Sequence, residues 1–202
     1  MRKPIYHNDT LLYVELPYCP RPPDWIIDQI DLTLRPDIND IGGRGHRYLE
    51  NWKGFTGLAN QNTLRRCSND FGTWVSNNII DSYQKVNVNY CWGYKDRTST
   101  GAHTDFTRDW VLLWNVSIGG PNATLCFWQQ HNQGLIRDRQ TECGRFEDLV
   151  LLAEISGPSD IWYLVNANVL HSTEHVCGLR LNLQVSFEEF PAKLMTYTSV
   201  DQ

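Results

Sequence analysis

The sequence contains no run of about 18 apolar residues, so no membrane-spanning helix is expected. The opening MRKPIYHNDT lacks the apolar stretch of a secretory leader, and a cytoplasmic location is the expectation. Positive charge is not in excess. Lys and Arg number 18 against 23 Asp and Glu, a net charge of −5, whereas a general nucleic-acid binder needs a basic face. No CxxC pair occurs. The six cysteines (Cys19, Cys67, Cys91, Cys126, Cys143, Cys177) are scattered, which argues for free thiols and against a structural zinc site with clustered ligands. Internal repeats and low-complexity tracts are absent too.

What remains is a chain of 202 residues, the size of one domain with a real core, read as a single unit over 1–202. Aromatic residues make up 12%, with 8 Trp, which suits a β-rich core or an aromatic-lined pocket. The first 84 residues read as support: a strand over 11–16, a proline-rich break, a helix over 25–34 capped by Asp24, a Gly- and Asn-rich loop over 37–62, and a helix within 63–83. The period then changes from helical to two. KVNVNYCW, DWVLLWNVS, ATLCFWQQ, LVLLAEI, DIWYLV and RLNLQVSFEEF all read as strands, punctuated by GG at 119–120, GP at 157–158 and CG at 177–178. Strands so spaced predict a sandwich or barrel with helices outside, a mainly β fold with flanking helices. The closing AKLMTYTSVDQ carries no signal.

Chemistry concentrates in GAHTDF, residues 101–106. If this stretch is extended, His103 and Asp105 project from one face, because alternate residues of a strand share a side. Alone, the pair reads equally as a turn in which Asp105 caps backbone amides. His171, after the strand DIWYLV and a short turn, is the candidate third ligand. Two imidazoles and one carboxylate form the facial triad of non-haem Fe(II) sites, with positions left open for substrate and dioxygen. Arg180 follows nine residues after His171, and a guanidinium there suits the far carboxylate of a small diacid.

The order HxD, distant His, then Arg resembles the Fe(II)- and 2-oxoglutarate-dependent oxygenases. VNYCWGYKDRTSTGAHTDF is similar to the lead-in strand of their prolyl-hydroxylase-like group, GGPNATLCFW to the turn and strand after the first ligands, and GPSDIWYLVNANVLHSTEHVCGLRLNLQVSF to the closing stretch. The resemblance spans about residues 85–190 and implies a double-stranded β-helix, a distorted jelly roll, there. It further implies His103, Asp105 and His171 as the catalytic iron ligands, Arg180 as the anchor of 2-oxoglutarate, and Tyr90 or Tyr94 as its helper. The implied cofactor set is Fe(II) with 2-oxoglutarate and O2, with ascorbate in support. The implied reaction hydroxylates an aliphatic C–H of a peptidyl residue, amino acid or other small metabolite, releasing succinate and CO2. Asp105 favours hydroxylation, since related halogenases carry a small residue there.

Other readings compete. A cupin-like protein would keep the barrel and bind metal or ligand without turnover. An oxygenase acting on a nucleobase fits the acidic charge less well. A zinc hydrolase would need a general base, for which Glu174 is the candidate. His175 lies four after His171, but Ser172 stands where the helical zinc motif needs Glu. His46 and His131 read as surface residues, and Arg97, Arg108, Arg137 and Arg139 as solvated loop residues, with a place at the pocket mouth as the alternative. Trp92, Trp114 and Trp128 are candidates for the substrate wall, against the alternative of core packing. The partner expected is a small molecule or peptide, with no membrane and no nucleic acid; oligomeric state is not readable.

Overall fold

The computed structural model describes residues 3–30, 52–53, 61–99, 101–105, 108–131, 134–135 and 148–199, without the side chains of 52–53, 61–68 and 90–98. The elements in chain order are β1 (Ile5–His7), β2 (Thr10–Leu16), α1 (Asp24–Ile27), β3 (Trp52–Lys53), α2 (Gln61–Asn78), β4 (Lys85–Thr98), β5 (Trp110–Ile118), β6 (Thr124–Gln130), β7 (Leu149–Ser156), β8 (Trp162–Asn166), β9 (Leu170–Glu174), β10 (Val176–Phe187) and a 3-10 helix at Ala192–Thr198. The fold is mainly β, with two antiparallel sheets. One sheet has seven strands in the order β1-β2-β8-β5-β10-β4-β3; the other has three, β7-β6-β9. No helix among the described residues is long and apolar enough to cross a membrane.

Two apolar clusters hold these layers together. On one side of the large sheet, Leu112, Trp114, Trp162, Leu181, Leu183 and Val185 meet Ile26, Phe71, Val75 and Ile79 from the helical segments. Phe71 and Val75 lie four apart on α2, so they share one stripe of the helix, and Ile79 continues it just past the helix end. Phe71 stacks on Trp162 at 6.1 Å, and Trp162 meets Trp114 edge-on at 5.4 Å. The second cluster joins Tyr13, Tyr163 and Val165 of the large sheet to Leu125, Phe127 and Ile155 of the small one. Cys19, Cys126 and Cys177 are free, and burial pushes the first two thiols up to about 12 and 11.

β10 is an interior strand of the large sheet, between β5 and β4. Its residues from Arg180 to Phe187 are all buried, on both faces. Leu181, Leu183, Val185 and Phe187 enter the helix-side cluster. The alternate residues Arg180, Asn182, Gln184 and Ser186 form a buried polar row on the opposite face.

The support region departs from its sequence reading. The helix expected over 25–34 is Asp24–Ile27 alone, and its 31–34 end lies outside the described residues. Only Ile26 of the helix is buried, while Trp25 is 51% exposed, so a single stripe meets the core. Asp24 is not the cap. Pro23 occupies that position with no side-chain bond, and Asp24 instead faces Arg21 at 3.4 Å. CG at 177–178 does not break a strand either. β10 starts at Val176, and the turn is His175 with φ +57°. The C-terminal stretch that gave no signal forms the 3-10 helix, which buries Leu194. The loop expected over 37–62 falls mostly outside the described residues, apart from the short strand β3 and residues 61–62, which open α2.

Candidate metal centre

His103 and His171 are 68 positions apart in sequence (171 − 103) yet directly opposed in space. His103 N–H donates to His171 O at 2.9 Å, and His171 N–H donates to His103 O at 2.8 Å. Such a pair in an antiparallel ladder places both side chains on one face. The rings lie 4.6 Å apart. Asp105, two residues on, has its N–H bonded to Ala167 O at 3.0 Å, and Ala167 N–H donates to Asp109 O at 2.8 Å. The turn that delivers His171 is therefore stitched to both sides of the segment carrying Asp105.

Each histidine is oriented in the same way. Nδ1 of His103 lies 2.8 Å from Gly101 O, and Nδ1 of His171 lies 2.9 Å from Val169 O. A carbonyl can only accept, so Nδ1 carries the proton in the neutral ring and Nε2 keeps its lone pair. Nε2 of His103 is 3.8 Å from Asp105 Oδ1. One ligand atom from each of His103, Asp105 and His171 lies within 4.8 Å of the others. Burial, then the neighbouring His171, hold His103 below the ordinary imidazole value of about 6.5, against the pull of Asp105. Burial pushes the Asp105 carboxyl up, but His171, Arg108 and His103 outweigh it and leave it below its usual range. Around neutral pH the pair His103 and Asp105 is thus a neutral imidazole and a carboxylate, the forms that bind metal.

Arg108 is not a solvated loop residue, since its side chain is only 19% exposed and paired. Its Nε donates to Asp105 Oδ2 at 2.6 Å and its Nη1 to Ser186 Oγ at 3.3 Å. Gln184, with its amide oxygen turned toward the guanidinium, accepts from both terminal nitrogens, at 3.0 Å from Nη2. The available sequence signal was the three-residue step from Asp105 to Arg108.

Arg180 lies further along the same polar row of β10 and is 4% exposed. Its Nη2 reaches Tyr163 Oη only at 3.5 Å, and Nη1 has no hydrogen-bond partner among the described residues. Burial raises the Tyr163 phenol, which stays protonated and donates to Asn115 Oδ1 at 2.8 Å. Asn182 Oδ1 and Thr104 Oγ1 are the other buried side-chain atoms without a partner among the described residues. All three orphans belong to the polar row of β10 or to the HxD stretch, and each such group calls for a specific explanation, such as a ligand. Gly119 packs against the arginine stem. A Cβ there would stand 2.8 Å from Arg180 Cβ, and its φ of +82° suits only glycine.

The remaining candidates are placed as follows. In the register with β10, Tyr90 pairs with Leu181, Trp92 with Leu179 and Tyr94 with Cys177, whereas the partner of Arg180 is Cys91; the side chains of these β4 residues lie outside the described ones. Trp114 is 3% exposed in the helix-side core. Trp128 Nε1 donates to Ser172 Oγ at 2.8 Å and packs with Ala102 and Leu170, on the side of β9 opposite His171. Glu174 shares that opposite side. It accepts from Ser99 at 2.6 Å and from Ser172, so it is no base for a hydrolytic metal. HSTEH is strand and turn rather than helix, and His175 is exposed. His131 is exposed as expected, while His46, Arg97, Arg137 and Arg139 lie outside the described residues or side chains. No family model matches the chain, and no curated protein matches it.

Proposed function

We propose that the chain is a non-haem Fe(II)- and 2-oxoglutarate-dependent dioxygenase of the prolyl-hydroxylase-like group, hydroxylating an aliphatic C–H of a peptidyl residue, amino acid or other small metabolite. The observation that carries this reading is a pairing. A two-His, one-Asp cluster shares one domain with a buried guanidinium whose Nη1 lacks a partner among the described residues. A buried unpaired cation is costly, and a carboxylate ligand removes that cost.

The strand order supports the same reading. From β4 onward the chain alternates between layers: β4 in the large sheet, the His103 bridge beside β9, β5 back in the large sheet, β6 and β7 in the small one, then β8, β9 and β10 by turns. Such a winding supports a double-stranded β-helix as the reading, with β1, β2 and β3 as edge additions and the helices as outer support.

His103 and His171 would hold the iron through Nε2 and Asp105 through Oδ1, a donor set suited to ferrous iron. Iron held there with 2-oxoglutarate and dioxygen would supply oxidative decarboxylation to succinate and CO2 coupled to hydroxylation of the substrate. The chain's own part is placement. The carbonyls of Gly101 and Val169 fix the imidazole tautomers. Arg180, backed by Tyr163, receives the distal carboxylate. The inter-sheet cluster of Tyr13, Leu125, Phe127 and Val165 keeps the interior dry.

The test is succinate formation by iron-loaded protein given 2-oxoglutarate and ascorbate in air. Slow succinate release is expected even without substrate, and none from His103→Ala. A folded, iron-loaded wild type that yields no succinate overturns the proposal.

A further inference from the structure

Resting on the metal reading above, we propose that Arg108 is a positioning residue of the centre: it grips Asp105 by Oδ2, so that Oδ1 alone is presented beside His103 and His171. The two carboxylate oxygens have different surroundings. Oδ2 accepts from Arg108 Nε at 2.6 Å, and Oδ1 lies 3.8 Å from His103 Nε2.

An Asp–Arg pair three residues apart is common on surfaces, where it contributes little. This one is different in its outer support. The Asp105 and Arg108 side chains are only 14% and 19% exposed. The far end of the guanidinium is held by Gln184 and Ser186, which are 1% and 2% exposed on the polar row of β10. Asp109 N–H, next in the chain, donates to Phe187 O at 2.9 Å, which pins the Arg108 backbone to the same strand. A fork fixed at both ends has little freedom, so the carboxylate it grips is fixed in rotation as well. One strand therefore carries both the candidate diacid anchor, Arg180, and the residues that brace Arg108, Gln184 and Ser186. Outer partners of this kind set the orientation of ligands to a metal.

Cobalt(II), added without 2-oxoglutarate, is the probe, because its visible d–d absorption reports the number and arrangement of its ligands. Wild type, Arg108→Met and Arg108→Lys are titrated, and each metal-free protein is melted to check its fold. Arg108→Met is expected to bind cobalt at least about tenfold more weakly, with changed d–d bands, since the freed carboxylate can turn or chelate through both oxygens. Arg108→Lys keeps the charge but not the fork, and falls between the two. A mere structural brace would lower the melting temperature while leaving the bands and affinity intact. Wild-type affinity and bands in a folded Arg108→Met overturn the proposal. If Arg108→Met does not fold, the same result in Arg108→Lys overturns it. Wild type that takes up no cobalt removes the metal centre and the function proposed above. Wild type that binds cobalt while both variants match it removes the role of Arg108 alone.

Discussion

Replacing Arg180 with methionine should stabilise the metal-free protein while removing its response to the diacid. The side chain is 4% exposed, Nη1 has no partner among the described residues, and the single contact of Nη2, to Tyr163, is 3.5 Å long. Leaving a buried donor unsatisfied costs about 1–3 kcal/mol, and more for a charged group. Methionine keeps the aliphatic stem against Gly119 and removes the charge. The long Tyr163 contact is worth little, and the phenol retains its bond to Asn115. The net expectation is a gain of about 1–2 kcal/mol, or roughly 2–8 °C in melting temperature for a domain of this size. With cobalt(II) in place of iron, 2-oxoglutarate at about 100 times its dissociation constant adds about 2.7 kcal/mol to wild type. Arg180→Met should lose nearly all of that increment. Thermal melts of both proteins, with and without metal and diacid, read the two effects together. An Arg180→Met protein that is less stable than wild type when metal-free, yet keeps the diacid increment, would falsify the reasoning.

Gly119→Ala should cost about 1–3 kcal/mol, because its φ of +82° is strained for alanine and the new Cβ meets Arg180 Cβ at 2.8 Å. It should also weaken diacid binding, which isothermal titration measures. Trp114→Ala should cost about 3–5 kcal/mol as a buried core truncation, with cobalt affinity of the folded fraction unchanged. A large loss of cobalt affinity at unchanged stability would instead place Trp114 in the site. Metal-free protein should lose stability as pH falls. His103 in the folded chain titrates below the ordinary 6.5, so the unfolded chain takes up the proton first. The contribution is whole above about 6.5 and declines as pH drops from there toward the folded value. Asp105, also lowered, adds a further loss in the same direction below its usual 3.8. Urea unfolding across this range, with His103→Gln as the variant of flattened slope, checks the sign. Stability that rises on acidification contradicts it.

His103, Asp105 and Arg180 were legible because strand parity and order are written directly in the sequence. One intervening residue puts the first two on a common face, and the third opens a clear period-two run. His171 was legible for its position after a strand, although β9 itself was missed. Its sequence LHSTE is short and polar, and it forms a strand only because β6 and the His103 bridge pair with it. The alternation in RLNLQVSF was read correctly as a strand, yet period two ordinarily means one wet face. Here the polar face is turned inward, and sequence pattern does not distinguish solvent from a polar interior. That ambiguity concealed Asn182, Gln184 and Ser186, and with them the role of Arg108. The short α1 was overextended because Ile26, Ile27, Ile30 and Leu34 carry helical spacing, although only Ile26 and Ile30 of the described ones meet the core.

The most direct test of the central claim is the visible absorption of anaerobic protein with Fe(II) and 2-oxoglutarate. The account predicts a ferrous-to-2-oxoglutarate charge-transfer band in wild type that needs both components. It predicts loss of the band in His103→Ala, Asp105→Ala and His171→Ala, and restoration in Arg180→Met only at much higher 2-oxoglutarate. Folded wild-type protein that shows no band with both components at saturation contradicts the account.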